Sequence, residues 1–273
     1  VQQSFAVTKN DQTISFTSTA PIAAKVAGAT YAVTATATSG LSVTFSIDAT
    51  ATSVCSISGA TVSFIGAGTC VINANQAGNT NYNAAPQVQQ SFAVVKGDQT
   101  IAFMSAAPVA ATVGGATYTV TAAASPSGLP VTFTIDASAA AVCSISGATV
   151  SFIGAGTCVI NANQAGDANY NAAPQVQQSF AIAKANQTIA FTSSVPTTPT
   201  VGGATYTVTA TATSGLAVAF TIDVSATSVC SISGATVSFI GNGTCVINAN
   251  QAGNGNYNAS AQVQQSFGVK STQ

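Results

Sequence analysis

The sequence predicts an all-β protein made of tandem antiparallel β-sandwiches with one disulfide per domain. Three observations lead to this prediction: a long internal repeat, short stretches in which apolar and polar residues alternate, and two cysteines in every repeat. Alternation with a period of two is typical of half-buried strands, and no stretch shows a helical period.

The repeat sets the domain organisation. SISGATVSFIG occurs unchanged at 56–66, 144–154 and 231–241, so the spacing is 88 and then 87 residues. Repeats of this length indicate small domains in series. The expected boundaries are 1–11 as the final strand of a preceding repeat, 12–98 as repeat 1, 99–186 as repeat 2 and 187–273 as repeat 3.

Seven stretches of the first repeat read as strands. Apolar residues alternate along them, with Val33 and Ala37, Val62 and Phe64 expected to face inward. Seven short strands separated by turn residues are typical of a two-layer sandwich. The stretches are QTISF (12–16), TYAVTATAT (30–38), SVTFSID (42–48), VCSIS (54–58), TVSFI (61–65), TCVINANQ (69–76) and VQQSFAVVK (88–96).

Six cysteines form pairs 15 residues apart in sequence: Cys55 and Cys70, Cys143 and Cys158, Cys230 and Cys245. We expect a disulfide from each pair, which in an oxidising compartment stabilises its domain by about 3 kcal/mol. The protein is therefore expected outside the cytoplasm, at the cell surface or secreted. Strand order predicts that each bond joins the two sheets. A zinc site needs four ligands, and a catalytic thiol needs a base that the chain does not supply.

The composition argues against catalysis and against nucleic-acid binding. The chain has five Lys and Arg residues together, six Asp and Glu residues together and no His, with a formal net charge of −1. Nucleic-acid binders carry a basic patch, and most enzymes use an imidazole or paired carboxylates. We therefore expect no enzyme activity, no cofactor and no nucleic-acid partner. Polar residues interrupt every apolar stretch, so no membrane insertion is expected in this segment.

An Asn-rich loop follows the sixth predicted strand and contains Tyr82, with Tyr170 and Tyr257 at the same place in the other repeats. Calcium prefers several carboxylates, and residues 79–83 offer none. The sequence therefore predicts no metal site. The amides are expected to satisfy backbone groups while Tyr82 packs over the end of the sandwich.

The segments between repeats are short. Only residues such as Gly97 and Asp98 separate the last strand of one repeat from the first strand of the next, too few for a flexible coil. A semi-rigid rod is expected, with roughly 35 to 40 Å per domain. Residues 1–9 match the last strands at 88–96, 176–184 and 263–270.

The series SGLxVTF, SVCSISGATVSF and GTCVINANQAGNxNYNAAPQVQQSF resembles the bacterial immunoglobulin-like repeats of large secreted and surface proteins of the adhesin type. The resemblance covers all three repeats. It implies immunoglobulin-like domains that act as a structural or adhesive stalk, with neighbouring repeats as partners and no catalytic residues. The low charge leaves an alternative open, a self-assembling extracellular filament of identical chains, with strand exchange through residues 1–9.

Overall fold

The computed structural model describes residues 1–271, and the chain is all-β with tandem sandwich-like domains. By its internal contacts the chain forms two compact units. The first comprises Val1–Met104, Thr121–Phe133 and Ala162–Val176, and the second comprises Ser105–Val120, Thr134–Asn161 and the chain from Gln177 onward. Both units contain part of repeat 2, so the repeat boundaries of the sequence analysis stay predictions. The expected end of repeat 3, Gln273, lies outside the described residues.

Repeat 1 contains nine strands and one short 3-10 helix among its described residues. The 3-10 helix begins after Asp48, whose side chain accepts a hydrogen bond from the Thr50 N–H and so caps it. The elements are β1 (Ile14–Phe16), β2 (Ala24–Lys25), β3 (Tyr31–Ala32), β4 (Ala35–Ala37), β5 (Thr44–Ile47), η1 (Ala49–Ala51), β6 (Cys55–Ser58), β7 (Thr61–Phe64), β8 (Gly68–Asn75) and β9 (Val88–Val95).

These strands form a four-stranded sheet in the order β2-β9-β8-β5, a three-stranded sheet in the order β3-β7-β6, and a two-stranded pair β1-β4. In the long central pair, Cys70 lies opposite Phe92 and Ile72 opposite Gln90. The strand pairs are antiparallel except β2 with β9, which is parallel at Ala24 and Lys25.

The seven expected strands of repeat 1 are present with two differences. The stretch 30–38 divides into β3 and β4, which pair with different sheets because the chain crosses between them at Val33 and Thr34. The extra strand β2 falls in a segment expected to be a connection. It is only two residues long, too short for an alternation of apolar and polar residues to reveal it.

Repeats 2 and 3 follow the same series. Their elements are β10 (Thr100–Phe103), β11 (Ala111–Thr112), β12 (Tyr118–Thr119), β13 (Ala122–Ser125), β14 (Thr132–Ile135), η2 (Ala137–Ala139), β15 (Cys143–Ser146), β16 (Thr149–Phe152), β17 (Gly156–Asn163), β18 (Val176–Ala183), β19 (Ile189–Phe191), β20 (Tyr206–Thr207), β21 (Ala210–Ala212), β22 (Ala219–Ile222), η3 (Val224–Ala226), β23 (Cys230–Ser233), β24 (Thr236–Phe239), β25 (Gly243–Asn250) and β26 (Val263–Val269).

One edge differs in repeat 3. Pro199 stands where repeats 1 and 2 have Ala24 and Ala111. Proline has no N–H to donate, so the parallel edge strand is reduced there to a single bridge between Thr200 and Lys270. The remaining hydrogen bonds, from Val201 N–H to the Lys270 oxygen at 3.0 Å and from Lys270 N–H to the Pro199 oxygen at 3.1 Å, keep the segment in place.

The core of each sandwich is built from modest side chains. In repeat 1, Val33, Val62 and Ile72 are fully buried between the sheets. Aromatic rings add edge-to-face contacts, with Phe92 meeting both Tyr31 and Phe64 at centroid distances of 5.7 and 5.8 Å. Such pairs stabilise a core beyond the area they bury. The inward-facing residues expected from the alternation therefore do form the core.

Residues 1–9 are not part of a strand in this structure. Phe5 and Val7 are 86% and 84% exposed, whereas Phe92 and Val94, at the same places in β9, are 8% and 3% exposed. The first pairing of the chain occurs at Asn10, which bridges to Tyr82. Within residues 1–271, the helical segments are too short to cross a bilayer.

Candidate functional site: the joints between repeats

Each repeat contains one disulfide that joins its two larger sheets. Cys55 lies in β6 and Cys70 in β8, at a Cα to Cα distance of 5.7 Å, and both residues are buried. The other bonds are Cys143–Cys158 and Cys230–Cys245, again at 5.7 Å. Each bond closes a segment that contains a Gly-rich turn, residues 65–68 in repeat 1. This turn, called here the receiving turn, belongs to the joint described next.

The Asn-rich loop forms the other half of a joint and is called here the joint loop, residues 78–83, 166–171 and 253–258. In repeat 2 the Asp167 carboxylate accepts hydrogen bonds from the Asn169 and Tyr170 N–H groups, both at 2.8 Å. This local turn is a frequent role of Asp and Asn. Asn79 and Asn254 make the same turn in the other repeats. Gly166 has a φ of 75°, and a Cβ there would collide with the Tyr170 carbonyl, so the position requires glycine.

A buried glutamine holds the joint loop on its own repeat. Gln99 is 3% exposed and its side-chain amide donates to Gln164 Oε1 at 2.5 Å and to the Asn171 carbonyl at 2.7 Å. Ser127 donates to Gln99 Oε1, which completes the amide's bonds. Gln12 and Gln187 make the same contacts in repeats 1 and 3. Buried amides with all partners present fix one geometry, because an unpaired alternative is costly.

The joint loop of repeat 2 binds the end of repeat 1 through the main chain. The Gly97 N–H donates to the Asn169 carbonyl, and the Asn171 N–H donates to the Gly97 carbonyl, both at 2.9 Å. Together they form a parallel bridge between Gly97 and Tyr170. The chain that leaves repeat 1 is therefore paired at once with the loop of repeat 2.

Side chains extend this contact to the receiving turn. Asn169 Oδ1 accepts a hydrogen bond from the Ala67 N–H at 3.0 Å, and Lys96 Nζ donates to the Asp167 carbonyl at 2.5 Å. The Tyr170 ring packs against the hydrophobic core cluster of repeat 1. A Cβ on Gly97 would lie 3.2 Å from this ring and 2.5 Å from the Val26 carbonyl, so the ring sits directly on the backbone.

The joint between repeats 2 and 3 repeats these contacts. The Ala185 N–H donates to the Asn256 carbonyl and the Asn258 N–H donates to the Ala185 carbonyl, both at 2.9 Å. Asn256 Oδ1 accepts from the Ala155 N–H at 3.0 Å, and Lys184 Nζ donates to the Asn254 carbonyl at 2.6 Å. We call the contacts around Gly97 the first joint and those around Ala185 the second joint.

The first joint alone carries an ion pair among the described residues. Lys25 Nζ lies 2.9 Å from Asp98 Oδ2, and both side chains are about half exposed or more. The Lys25 hydrogen bond, followed by one from Asn171, lowers the pKa of the Asp98 carboxyl below its ordinary value. In the second joint Thr112 and Asn186 occupy these places, and Asn186 accepts from Asn258 at 2.8 Å, as Asp98 accepts from Asn171 at 2.9 Å.

The three capping aspartates have a lowered pKa. In Asp48 the largest cause is the Thr50 hydroxyl hydrogen bond, followed by the Thr50 N–H and the Asn73 amide. Ser138 and Ser225 have the same effect on the pKa of Asp136 and Asp223. These carboxylates order a surface turn. Within residues 1–271, His, Cys, Asp and Glu side chains form no group of three that could hold a metal ion.

The sequence predicted the position of the tyrosine-bearing loop correctly, but the predicted packing partner of its tyrosine was wrong. Tyr170 was expected to pack over the end of its own sandwich, whereas it packs on the core of the preceding repeat. Gln99 was missed altogether. The sequence feature that could have revealed it is the QT pair that begins every repeat, at 12–13, 99–100 and 187–188. Because both residues are polar, a surface position is the ordinary expectation for them.

No family model and no curated protein matches the chain. Among solved structures, Drosophila N-cadherin EC1-4 aligns at 10% identity over 97% of this chain and 76% of that one, with a TM-score of 0.30. Sidekick-1 immunoglobulin domains 1-5 align at 14% identity, covering 95% and 59% with a TM-score of 0.36. Surface layer protein SbsC, domains 1-6, aligns at 17%, covering 96% and 40% with a TM-score of 0.26. The chain spans only part of the length of each of these structures.

Proposed function

We propose that this chain is a non-catalytic extracellular stalk, a spacer or adhesive extender in which each repeat is docked onto the next. The observation that carries the proposal is the joint. The same backbone pairing and asparagine side-chain contact occur at Gly97 and again at Ala185, and at Gly97 the Tyr170 ring adds a packing contact. A linker held in this way resists bending, which a spacer of defined reach requires.

The residue chemistry supports the extracellular location and the non-catalytic role. Three buried disulfides support an oxidising, extracellular location, because reducing compartments keep thiols free. The chain has no His and only eleven charged side chains, so it offers little for acid, base or nucleophilic catalysis. The bacterial adhesin type of stalk is supported by the resemblance of the repeats.

Small-angle scattering of the full chain tests this function. We expect an elongated monomer with a maximum dimension on the order of 100 to 120 Å. The double variant Asn169→Ala with Tyr170→Ala should keep the strand content but allow the chain to bend at the first joint. Ser91→Ala, on the exposed face of β9, is the matched control. A compact wild-type particle would contradict the stalk.

A second candidate is a subunit of a self-assembling filament with strand exchange through residues 1–9. One observation favours it: Phe5 and Val7 are exposed although the same sequence is buried in β9. Electron microscopy of concentrated protein decides between the two. Filaments that a synthetic VQQSFAVTK peptide shortens would support exchange, and isolated particles unaffected by the peptide would exclude it.

A further inference from the structure

The fifth strand of each repeat, β5, β14 or β22, stands at the edge of its sheet. The orders β2-β9-β8-β5, β11-β18-β17-β14 and β22-β25-β26 each end on it. An edge strand presents backbone N–H and C=O groups that a further strand can pair with. In repeat 1 an open groove of about 400 Å³, lined by Val43, Thr44, Phe45, Ile57, Gly59 and Ala60, runs beside this edge.

The hydrogen-bond pattern shows which residues face outward. The Asp48 N–H donates to the Val71 carbonyl of β8 at 2.9 Å. Because bonded residues alternate along an antiparallel pair, Thr44 and Ser46 also bond toward β8. Phe45 and Ile47 therefore direct their N–H and C=O groups to the free edge. Asp136 and Asp223 make the equivalent bonds, to Val159 and Val246, so the pattern recurs in repeats 2 and 3.

Natural proteins commonly protect such an edge with lysine, proline or a bulge. The three edges read TFSI, TFTI and AFTI, and contain no charged residue and no proline. Phe45 and Ile47 are partly exposed on the inward face, while Ser46 is exposed on the other face. With a net charge of −1 on the whole chain, long-range repulsion between copies is also small.

We propose that this edge is a lateral self-association surface whose partner is the same edge strand of a second copy of the chain. The sequence is self-complementary about a two-fold axis. In an antiparallel pair, Phe45 of one copy bonds with Ile47 of the other, and the reverse, which gives four backbone hydrogen bonds. The two aromatic to aliphatic side-chain pairs lie on one face, and Ser46 meets Ser46 on the other.

Each repeat offers the same pairing, with Thr134 or Thr221 in place of Ser46 at the axis. A single edge of four residues is short, so we expect weak, reversible association, with a Kd on the order of 100 µM. Lateral pairing goes beyond the stalk function, because a stalk can keep its length as a monomer. A chain that stays elongated but monomeric would refute only the lateral pairing.

Sedimentation velocity of the full chain between about 10 µM and 1 mM tests the proposal. The wild type should show a concentration-dependent rise in sedimentation coefficient. The variant Ser46→Lys, Thr134→Lys, Thr221→Lys places like charges opposite each other at every axis, and the rise should disappear. The matched control Ser91→Lys, Ser179→Lys, Ser266→Lys adds the same charge on β9, β18 and β26, away from this edge, and should associate like wild type.

Three outcomes overturn the proposal: a wild type that is monomeric throughout, an edge variant that associates like wild type, or a control variant that also loses association. A second measurement does not depend on how the lysine variant folds. Ser46→Cys should form a disulfide-linked dimer through residue 46 under mild oxidation, while Ser91→Cys should not. Equal crosslinking of the two variants would also reject edge pairing.

Discussion

The two joints share their main-chain contacts and several side-chain contacts, and they differ in a few of the residues around them. In both, a residue between two repeats donates to and accepts from the next joint loop, and an asparagine reaches back to the receiving turn. The first joint has Gly97, Asp98 and Lys25, whereas the second has Ala185, Asn186 and Thr112. Both joints therefore use backbone groups, an asparagine amide and a lysine that donates to the joint loop, and the ion pair is an addition found only in the first joint among the described residues.

The largest expected difference between the joints comes from removing one disulfide. Cys55→Ala with Cys70→Ala should lower the free energy of unfolding of repeat 1 by about 3 kcal/mol and release its receiving turn. Hydrogen exchange at the Gly97 amide should then accelerate far more than exchange at Ala185. Cys143→Ala with Cys158→Ala should show the reverse order. Equal acceleration at both amides would mean that the disulfides do not act locally on the joints.

Tyrosine truncation should have the next largest effect. Tyr170→Ala removes a half-buried ring from the core of repeat 1 and should weaken the first joint by about 1 to 2 kcal/mol. Urea unfolding and Gly97 amide exchange measure the loss. Tyr257→Ala should act in the same way on the second joint. Tyr170→Phe keeps the ring and is the control, so a phenylalanine variant as weak as the alanine variant would shift the role to the hydroxyl group.

Exchanging the residues at the bridge tests how closely the first joint is packed. Gly97→Ala should cost about 1 kcal/mol or more, because the new Cβ must displace the Val26 carbonyl and also crowds the Tyr170 ring. Ala185→Gly should change the second joint less. Thermal unfolding monitored by circular dichroism compares both with wild type. A neutral Gly97→Ala variant would show that the first joint adjusts as freely as the second.

The smallest effect is expected from charge. Exposed ion pairs contribute little and are screened by salt, so Lys25→Thr with Asp98→Asn should leave the unfolding midpoint nearly unchanged. In the wild type, added salt should increase amide exchange only at the first joint.

The pKa of Asp98 is lowered in the folded chain, so the contribution of its ion pair to stability is present above about pH 4 and is lost as the pH falls further. Ala185 amide exchange, with no such pair beside it, is the internal control.

Much of the fold could be predicted because the alternation is strong. The side chains expected to face inward, such as Val33 and Val62, are fully buried, and the cysteine strands lie in different sheets as expected. The joint could not be predicted, since Asn169 and Ala67 are about a hundred residues apart and neither position is unusual in its own repeat. The alternation of apolar and polar residues indicates which face of a strand is buried. Docking between repeats depends instead on contacts between residues far apart in the sequence.

One residue separates the two anchors of each joint, and this spacing has a consequence for how such genes change length. Gly97 pairs with the joint loop from the side of repeat 1, and Gln99 holds the same loop from the side of repeat 2. An inserted or deleted residue at Asp98 would put one anchor out of phase with the other. Unequal recombination that adds or removes whole repeats keeps the one-residue spacing at every joint. The array can therefore change length by whole domains without any change in the joint residues.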